Sequence, residues 1–175
     1  MVAIILAAGW IAARTACVYA DEVISIPDPG LELAIRNAIY KPQGDILRSN
    51  VEGITFLRDL GDPKIKSLEG IQYLTNLKML YLSNNQISDL SRLSSLTKLT
   101  YIDLDDNLVS DLSPLSNLPN LKTLYLANNK IFNISPLAGL TSLQQLHLPN
   151  NFITDITPVA KLANLTMLYL GQNRI

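Results

Sequence analysis

Few side chains in the sequence are suited to covalent or metal chemistry. The 175 residues include one histidine, His147, and one cysteine, Cys17. A zinc site or a Ser-His-Asp triad would have to be built around that single imidazole, which argues against most hydrolases. Cys17 lies in a segment that we predict is removed, so the mature chain would have neither a disulfide nor a reactive thiolate. We therefore predict that the protein is not an enzyme and holds no cofactor.

The second candidate for chemistry is an acidic cluster formed by Asp103, Asp105 and Asp106. In a strand, Asp103 and Asp105 share one face. Calcium takes six or more oxygen ligands, so we predict no metal here and favour an acidic spot for a Lys or Arg of a partner. His147 lies two repeat units from Asp103, roughly 10 Å at the usual strand spacing, which excludes direct contact. It is left open whether His147 helps to bind a ligand, makes binding pH-sensitive or has no special role.

Composition narrows the classes of protein further. Hydrophobic residues make up 48% of the chain and charged residues 17%, which is typical of a folded domain rather than a disordered one. Fourteen Lys and Arg residues stand against fifteen Asp and Glu residues, for a net charge of −1. This balance gives no general electrostatic attraction to nucleic acid or to an anionic membrane.

The first twenty residues have the pattern of a secretory signal. Val2 to Ala13 are almost all apolar, a run too short to span a bilayer but suited to the apolar region of a signal peptide. Val18 and Ala20 match a cleavage site that would leave Asp21 first, although no Lys or Arg precedes the apolar run. We predict a signal peptide over 1–20 and no stable membrane insertion after its removal. The alternative is a buried N-terminal helix.

From Leu74 onward the sequence repeats every 22 residues. The units begin at Leu74, Leu96, Leu118, Leu140 and Leu162. Aliphatic residues recur at unit positions 1, 4, 7, 9, 14, 17 and 20, and position 12 is always asparagine. This is the leucine-rich-repeat pattern, and no helical period accounts for it.

The spacing predicts the local structure of each unit. Positions 7 and 9 alternate with 6 and 8, as in a short strand with one face inward, and the strands would stack into a parallel sheet. The buried asparagine amides would satisfy backbone groups of adjacent coils, so we assign them a structural role. This ladder comprises Asn85, Asn107, Asn129, Asn151 and Asn173. Asp or Asn at position 16 and Ser or Thr at position 18 predict short 3₁₀ turns on the convex side.

The fold class predicted is therefore α/β, a leucine-rich-repeat solenoid with a curved parallel sheet on its concave side and an N-terminal helical cap. Asp28 and Pro29 begin an amphipathic helix in the cap, which would cover the open end of the solenoid. The predicted organisation is a signal over 1–20, a cap over 21–50 and repeats over 51–175. The repeat units span 51–73, 74–95, 96–117, 118–139, 140–161 and an incomplete 162–175.

The last unit stops at Ile175, at its fourteenth position, without a capping element. We expect either that the chain is a fragment of a longer protein or that it associates with itself end to end through this coil.

Three features resemble the internalin family of bacterial surface and secreted proteins, over about 21–175. They are the helical cap, the segment from Lys66 to Leu74 and the repeat segment from Asn85 to Leu90. The resemblance implies a protein-binding module that uses the concave sheet and is secreted or displayed at the cell surface. Similar 22-residue repeats occur in cytosolic phosphatase-regulating proteins, which lack a signal sequence.

The predicted binding surface consists of the exposed side chains at positions 6, 8 and 10. Four of the six tyrosines outside the signal lie on this face, and tyrosine is common at binding hot spots. The alternative is that tyrosine merely suits exposed strand positions. The residues predicted to bind a protein partner are Met79, Tyr81, Tyr101, Asp103, Asp105, Tyr125, Gln145, His147, Met167 and Tyr169.

Other functions stay open at this point. A cytosolic scaffold or phosphatase regulator requires that residues 1–20 remain attached. An enzyme would need a catalytic portion beyond these residues. A truncated reading frame would have no function of its own.

Overall fold

The computed structural model describes residues 21–175. The predicted signal over 1–20, which includes Cys17, lies outside the described residues. Two helices form the N-terminal part: α1 (Pro29–Ala38) and α2 (Arg48–Val51). Asp28 caps α1 through its side chain, as the Asp-Pro sequence predicts, and α2 lies across the predicted boundary between cap and repeats.

Six short strands form a single parallel sheet in chain order, one strand from each coil. They are β1 (Phe56–Arg58), β2 (Met79–Tyr81), β3 (Tyr101–Asp103), β4 (Thr123–Tyr125), β5 (Gln145–His147) and β6 (Met167–Tyr169). The strands pair in strict register, so that each residue faces the residue at the same unit position in the next coil. The predicted solenoid with a parallel sheet is confirmed.

The core is one continuous column of aliphatic side chains. The middle residue of each of the first five strands is at most 1% exposed, because it points inward between neighbouring coils. Positions 9, 14 and 20 fill the rest of each coil, as in Leu104, Val109 and Leu115, which are fully buried. In the last coil Leu168 is 37% exposed, since no further coil packs on it within the described residues.

The convex side carries the predicted 3₁₀ turns. They span Ile71–Tyr73, Ser91–Leu93, Ser113–Leu115, Ser135–Gly139 and Thr157–Lys161. The carboxylate of Asp111 accepts a hydrogen bond of 2.8 Å from the backbone N–H of Ser113, and the equivalent pair in the next coil is Asn133 and Ser135 at 2.9 Å. In the four coils from Leu74 to Lys161, the side chain at position 16 therefore accepts a hydrogen bond from the N–H of the residue that begins the turn. Such a short turn suits the limited length of a 22-residue coil.

A left-handed backbone residue follows each strand. Position 11 has a positive φ of 53° to 59° in every unit from 74 onward. Its residues are Asn84, Asp106, Asn128, Asn150 and Gln172. Asparagine and aspartate tolerate this conformation better than most residues, so Asp106 serves the turn.

The cap is packed tightly onto the first repeat. A Cβ at Gly30, in the first turn of α1, would lie 2.4 Å from the carbonyl oxygen of Pro63, so only glycine fits there. Val23 and Leu47 form an antiparallel bridge that joins the start of the described chain to the residue before α2. Within 21–175, none of the helices has the length and apolar character needed to cross a membrane.

Candidate protein-binding face

The concave face consists of the outward residues of the six strands. In-register pairing places them in two rows that cross all six coils. The position-6 row is Phe56, Met79, Tyr101, Thr123, Gln145 and Met167, and the position-8 row is Arg58, Tyr81, Asp103, Tyr125, His147 and Tyr169. Every predicted binding residue on a strand lies in one of these rows, while Asp105 lies just beyond β3.

Each coil contributes one ring to this face, and the six rings form an unbroken series that we call the ring row. Its members in order are Phe56, Tyr81, Tyr101, Tyr125, His147 and Tyr169. Successive ring centroids lie 5.3, 4.4, 5.7, 5.2 and 5.0 Å apart. These separations are those of favourable aromatic pairs, and the Tyr81–Tyr101 pair is stacked with 25° between the ring planes.

The ring row is both rigid and accessible. Its four inner members are half-buried because each ring covers part of the next, whereas Phe56 and Tyr169 at the two ends are 45% and 55% exposed. The hydroxyl of Tyr125 also donates a hydrogen bond of 3.2 Å to Oε1 of Gln145. Rings already held in place lose little side-chain entropy when a partner covers them.

An acidic pair borders the ring row at the end of β3. Asp103 accepts a hydrogen bond of 3.1 Å from the backbone N–H of Asp105, and Asp105 accepts one of 2.6 Å from the N–H of Ala127 in the next coil. This second bond draws the Asp105 carboxylate toward the following coils. As a result, Oδ2 of Asp105 lies 3.8 Å from Nδ1 of His147.

Sequence spacing excluded contact between His147 and Asp103 but did not anticipate this approach to Asp105. The spacing gives the distance between strands and does not show which way a side chain leans. Nδ1 of His147 is buried and has no hydrogen-bond partner among the described residues.

The environment of the two carboxyls disfavours their ionised forms. Burial raises the pKa of Asp103, and the hydrogen bond from the Asp105 N–H only partly offsets this. Burial likewise raises the pKa of Asp105 against the opposing effect of the Ala127 N–H, and the Asp103 charge adds to the rise. Burial, followed by the charge of Asp103, raises the pKa of Tyr101 far above its ordinary value of 10. When Asp103 and Asp105 are ionised, they therefore form a poorly solvated negative site beside the rings.

Asp106, the third carboxylate of the cluster, takes no part in the pair. It is exposed in the left-handed turn and accepts a hydrogen bond of 2.9 Å from Nδ2 of Asn128. Over 21–175, no three His, Cys, Asp or Glu side chains are grouped so that they could hold a metal ion.

The asparagine ladder lies beneath this face. Asn85, Asn107, Asn129 and Asn151 are 4% to 7% exposed. In each, Oδ1 accepts a hydrogen bond from a backbone N–H of the preceding coil; for Asn107 the donor is Ile87 at 2.9 Å. Nδ2 of Asn107 donates to the carbonyls of Leu82 in the preceding coil and Leu104 in its own. Asn173 makes the equivalent bonds but is only half-buried.

Two residues of the concave face were absent from the binding surface predicted from the sequence. Phe56 and Arg58 occupy positions 6 and 8 of the irregular first unit, and Phe56 begins the ring row. The aliphatic alignment of 51–73 already fixed Leu57 as position 7, so the signal was present. It was missed because the exposed positions were counted only from Leu74 onward.

A curved parallel sheet, one strand per 22-residue coil and a buried asparagine ladder define a leucine-rich-repeat protein. A family model of leucine-rich repeats, in two copies, matches residues 75–117, 97–141, 119–161 and 141–175. These matches together cover more than half of the chain.

Solved structures specify the family further. An internalin, InlF, from Listeria monocytogenes is 38% identical with a TM-score of 0.82, over 86% of this chain and 45% of that one. The internalin InlC2 of the same species is also 38% identical, with a TM-score of 0.64, over 84% of this chain and 75% of that one. The chain belongs to the internalin family of leucine-rich-repeat proteins.

A leucine-rich-repeat protein of Leptospira interrogans is similar as well, at 29% identity and a TM-score of 0.63, over 71% of this chain and 33% of that one. The chain thus spans less than half the length of the InlF and Leptospira structures. A search of curated proteins finds no match.

Proposed function

We propose that the protein is a non-enzymatic binding module that holds a protein partner on its concave face. The single observation that carries this proposal is the ring row, because six aromatic side chains form an unbroken series of contacts across every coil of the sheet. Aromatic side chains supply large contact areas at low entropic cost and are enriched in the energetically dominant parts of interfaces.

The acidic pair adds a specific requirement on the partner. Burial makes the negative charge of Asp103 and Asp105 costly and raises the pKa of both carboxyls. A Lys or Arg side chain of the partner would relieve that cost while lying against the rings of Tyr101 and Tyr125. We therefore propose a partner surface with an apolar or aromatic strip and at least one basic side chain beside it.

The test uses the full chain as bait against a displayed library of extracellular protein domains, followed by affinity measurements on the recovered binder. Tyr125→Ala should weaken binding by more than about tenfold, since it removes the ring that links Tyr101 to His147. The matched control is Phe132→Ala, which truncates an aromatic ring that is 64% exposed and belongs to none of the strands. The control should bind within about twofold of the unchanged protein.

Circular dichroism spectra of both variants check that the fold is kept. Unchanged binding by Tyr125→Ala, and by Tyr169→Ala measured in parallel, would refute the concave-face proposal. An equal loss from Phe132→Ala would show that the loss is not specific to the concave face.

We further propose that the module acts outside the cell, secreted or displayed at a bacterial surface. The apolar run and the Ala20 cleavage site support this proposal, and the alternative is an intracellular scaffold that keeps residues 1–20. Intact-mass analysis of the protein expressed in bacteria should give the mass of a chain that begins at Asp21. A mass that retains the first twenty residues would favour the intracellular scaffold. End-to-end self-association through the last coil stays a prediction.

A further inference from the structure

Three lysines lie together at the edge of the sheet where the strands begin. Lys78 and Lys122 each occupy the residue before a strand, two coils apart, and Lys98 belongs to the coil between them. At the usual strand spacing, Lys78 and Lys122 are about 10 Å apart along the solenoid. We call this group the lysine edge. It lies at the end of the strands opposite to Asp103 and Asp105.

The backbone beneath the lysine edge is firmly fixed. The carbonyl of Lys78 accepts hydrogen bonds of 2.8 and 3.2 Å from the N–H groups of Thr100 and Tyr101. The carbonyl of Lys122 accepts equivalent bonds of 2.8 and 3.0 Å from the next coil. The backbone that carries these lysines is thus fixed by hydrogen bonds, and only the lysine side chains are free to adjust.

The lysine edge lines a shallow depression of about 360 Å³ together with the side chains of Thr100, Asn120 and Ser142. Every lining residue is cationic or a neutral hydrogen-bonding residue, and none is apolar. Within 21–175, none of the three ammonium groups lies within 4.0 Å of a carboxylate. Among the described residues, the hydrogen-bond partner of the Lys98 ammonium is neutral: Oδ1 of Asn76.

These features define the chemistry of a ligand. Three uncompensated positive charges call for a multiply charged anion. Sites for apolar ligands are lined mostly by hydrophobic and aromatic side chains, which this depression lacks. The Thr100 hydroxyl donates to the carbonyl of Lys78 and the Asn120 amide donates to that of Thr97, so both side chains offer their oxygens as acceptors. Together with the Ser142 hydroxyl, they match a ligand that carries its own hydroxyls.

We propose that the lysine edge binds an anionic carbohydrate, a sugar chain that carries sulfate or phosphate esters. Its ester groups lie against the three ammonium groups, and its hydroxyls exchange hydrogen bonds with Thr100, Asn120 and Ser142. The lysine edge is separate from the ring row, so a test of carbohydrate binding does not depend on the protein partner proposed above.

The probe for this proposal is a sulfated hexasaccharide prepared from heparin, titrated calorimetrically into the full chain. The hexasaccharide should bind, and its affinity should fall as sodium chloride is raised from about 50 to about 200 mM, because salt screens exposed charges. The double variant Lys98→Gln/Lys122→Gln should lose at least about tenfold in affinity. The matched control Lys130→Gln/Lys161→Gln removes the same charge from other surfaces and should stay within about twofold.

Three outcomes would overturn the proposal. The first is no binding of the hexasaccharide at low salt. The second is an equal loss in the two double variants, which would mean a diffuse response to net charge. The third is equally tight binding of poly-L-glutamate or inorganic sulfate, which would show that the site recognises negative charge and not a carbohydrate.

Discussion

Replacing Asp28 by alanine should lower the free energy of unfolding by about 4 kcal/mol, because four backbone N–H groups lose their acceptor at once. Oδ1 of Asp28 accepts hydrogen bonds of 3.0 Å from both Gly30 and Leu31 in the first turn of α1. Oδ2 accepts bonds of 2.8 and 3.0 Å from Lys66 and Ser67 in the first repeat. The carboxylate is only 7% exposed and therefore joins the cap to the solenoid where water cannot readily replace it. Urea denaturation followed by circular dichroism measures the effect.

A second variant separates the two halves of this role. Asp28→Asn keeps an oxygen for the first turn of α1 but turns an NH₂ group toward two N–H donors, so its cost should be about 2 kcal/mol. Asp111→Asn is the control, because Asp111 accepts a single backbone bond at an exposed turn. Its urea midpoint should barely move. A midpoint for Asp28→Ala equal to that of the control would contradict the bridging role.

The same carboxylate gives a pH dependence of known sign. Burial alone raises the pKa of Asp28, but the four N–H donors together outweigh it and hold the pKa below the ordinary value of 3.8. The unfolded chain therefore binds this proton at a higher pH than the folded chain does. The stability difference between the unchanged protein and Asp28→Asn should be constant above about pH 5 and shrink as the pH falls through the folded-state pKa. A difference that keeps its full size from about pH 5 down to about pH 2 would refute this assignment.

The second large effect is expected from Asn129→Ala in the centre of the asparagine ladder. Oδ1 of Asn129 accepts a hydrogen bond of 2.9 Å from Val109 N–H, and Nδ2 donates to the carbonyls of Leu104 and Ala127 at 2.9 and 3.0 Å. Alanine leaves the buried Val109 N–H without an acceptor and opens a small void between two coils. The free energy of unfolding should fall by about 3 kcal/mol in urea denaturation.

Asn120→Ala provides the matched control for the ladder. Asn120 also donates to a carbonyl of the preceding coil, that of Thr97 at 2.8 Å, but it is exposed, so water can take its place. The control should cost less than about 1 kcal/mol. If the two alanine variants are equally stable, burial of the amide contributes nothing and the structural role of the ladder is wrong.

Periodicity in the sequence was sufficient to predict most of the fold. A strict 22-residue repeat places most of the recurring aliphatic side chains inward and every strand in register, because each coil can bury its core only against coils of the same shape. The helix that begins after Asp28 followed from local capping preferences. In contrast, the second pair of bonds to Asp28 comes from Lys66 and Ser67, and no local pattern connects residues so far apart in the chain.

The candidate site was only partly predictable for a related reason. Unit positions fix which side chains share the concave face, so the tyrosines and His147 were found. Positions do not fix how a side chain leans, and the approach of Asp105 to His147 depends on a bond to Ala127 in the intervening coil. Phe56 was predictable from the alignment of Leu57 at position 7, but it was missed because the exposed positions were counted only from Leu74 onward.

The strict register of the sheet also means that the concave face grows in equal steps, one for each coil. Each coil advances the solenoid by one strand spacing, about 4.8 Å, and adds one ring to the row. The length of the ring row is therefore set by a whole number of coils and changes only in such steps. Gain or loss of a complete 22-residue unit would lengthen or shorten the contact strip by one increment without altering the junctions between the remaining coils. Selection can thus adjust reach by counting repeats and adjust specificity by exchanging the side chains at positions 6 and 8.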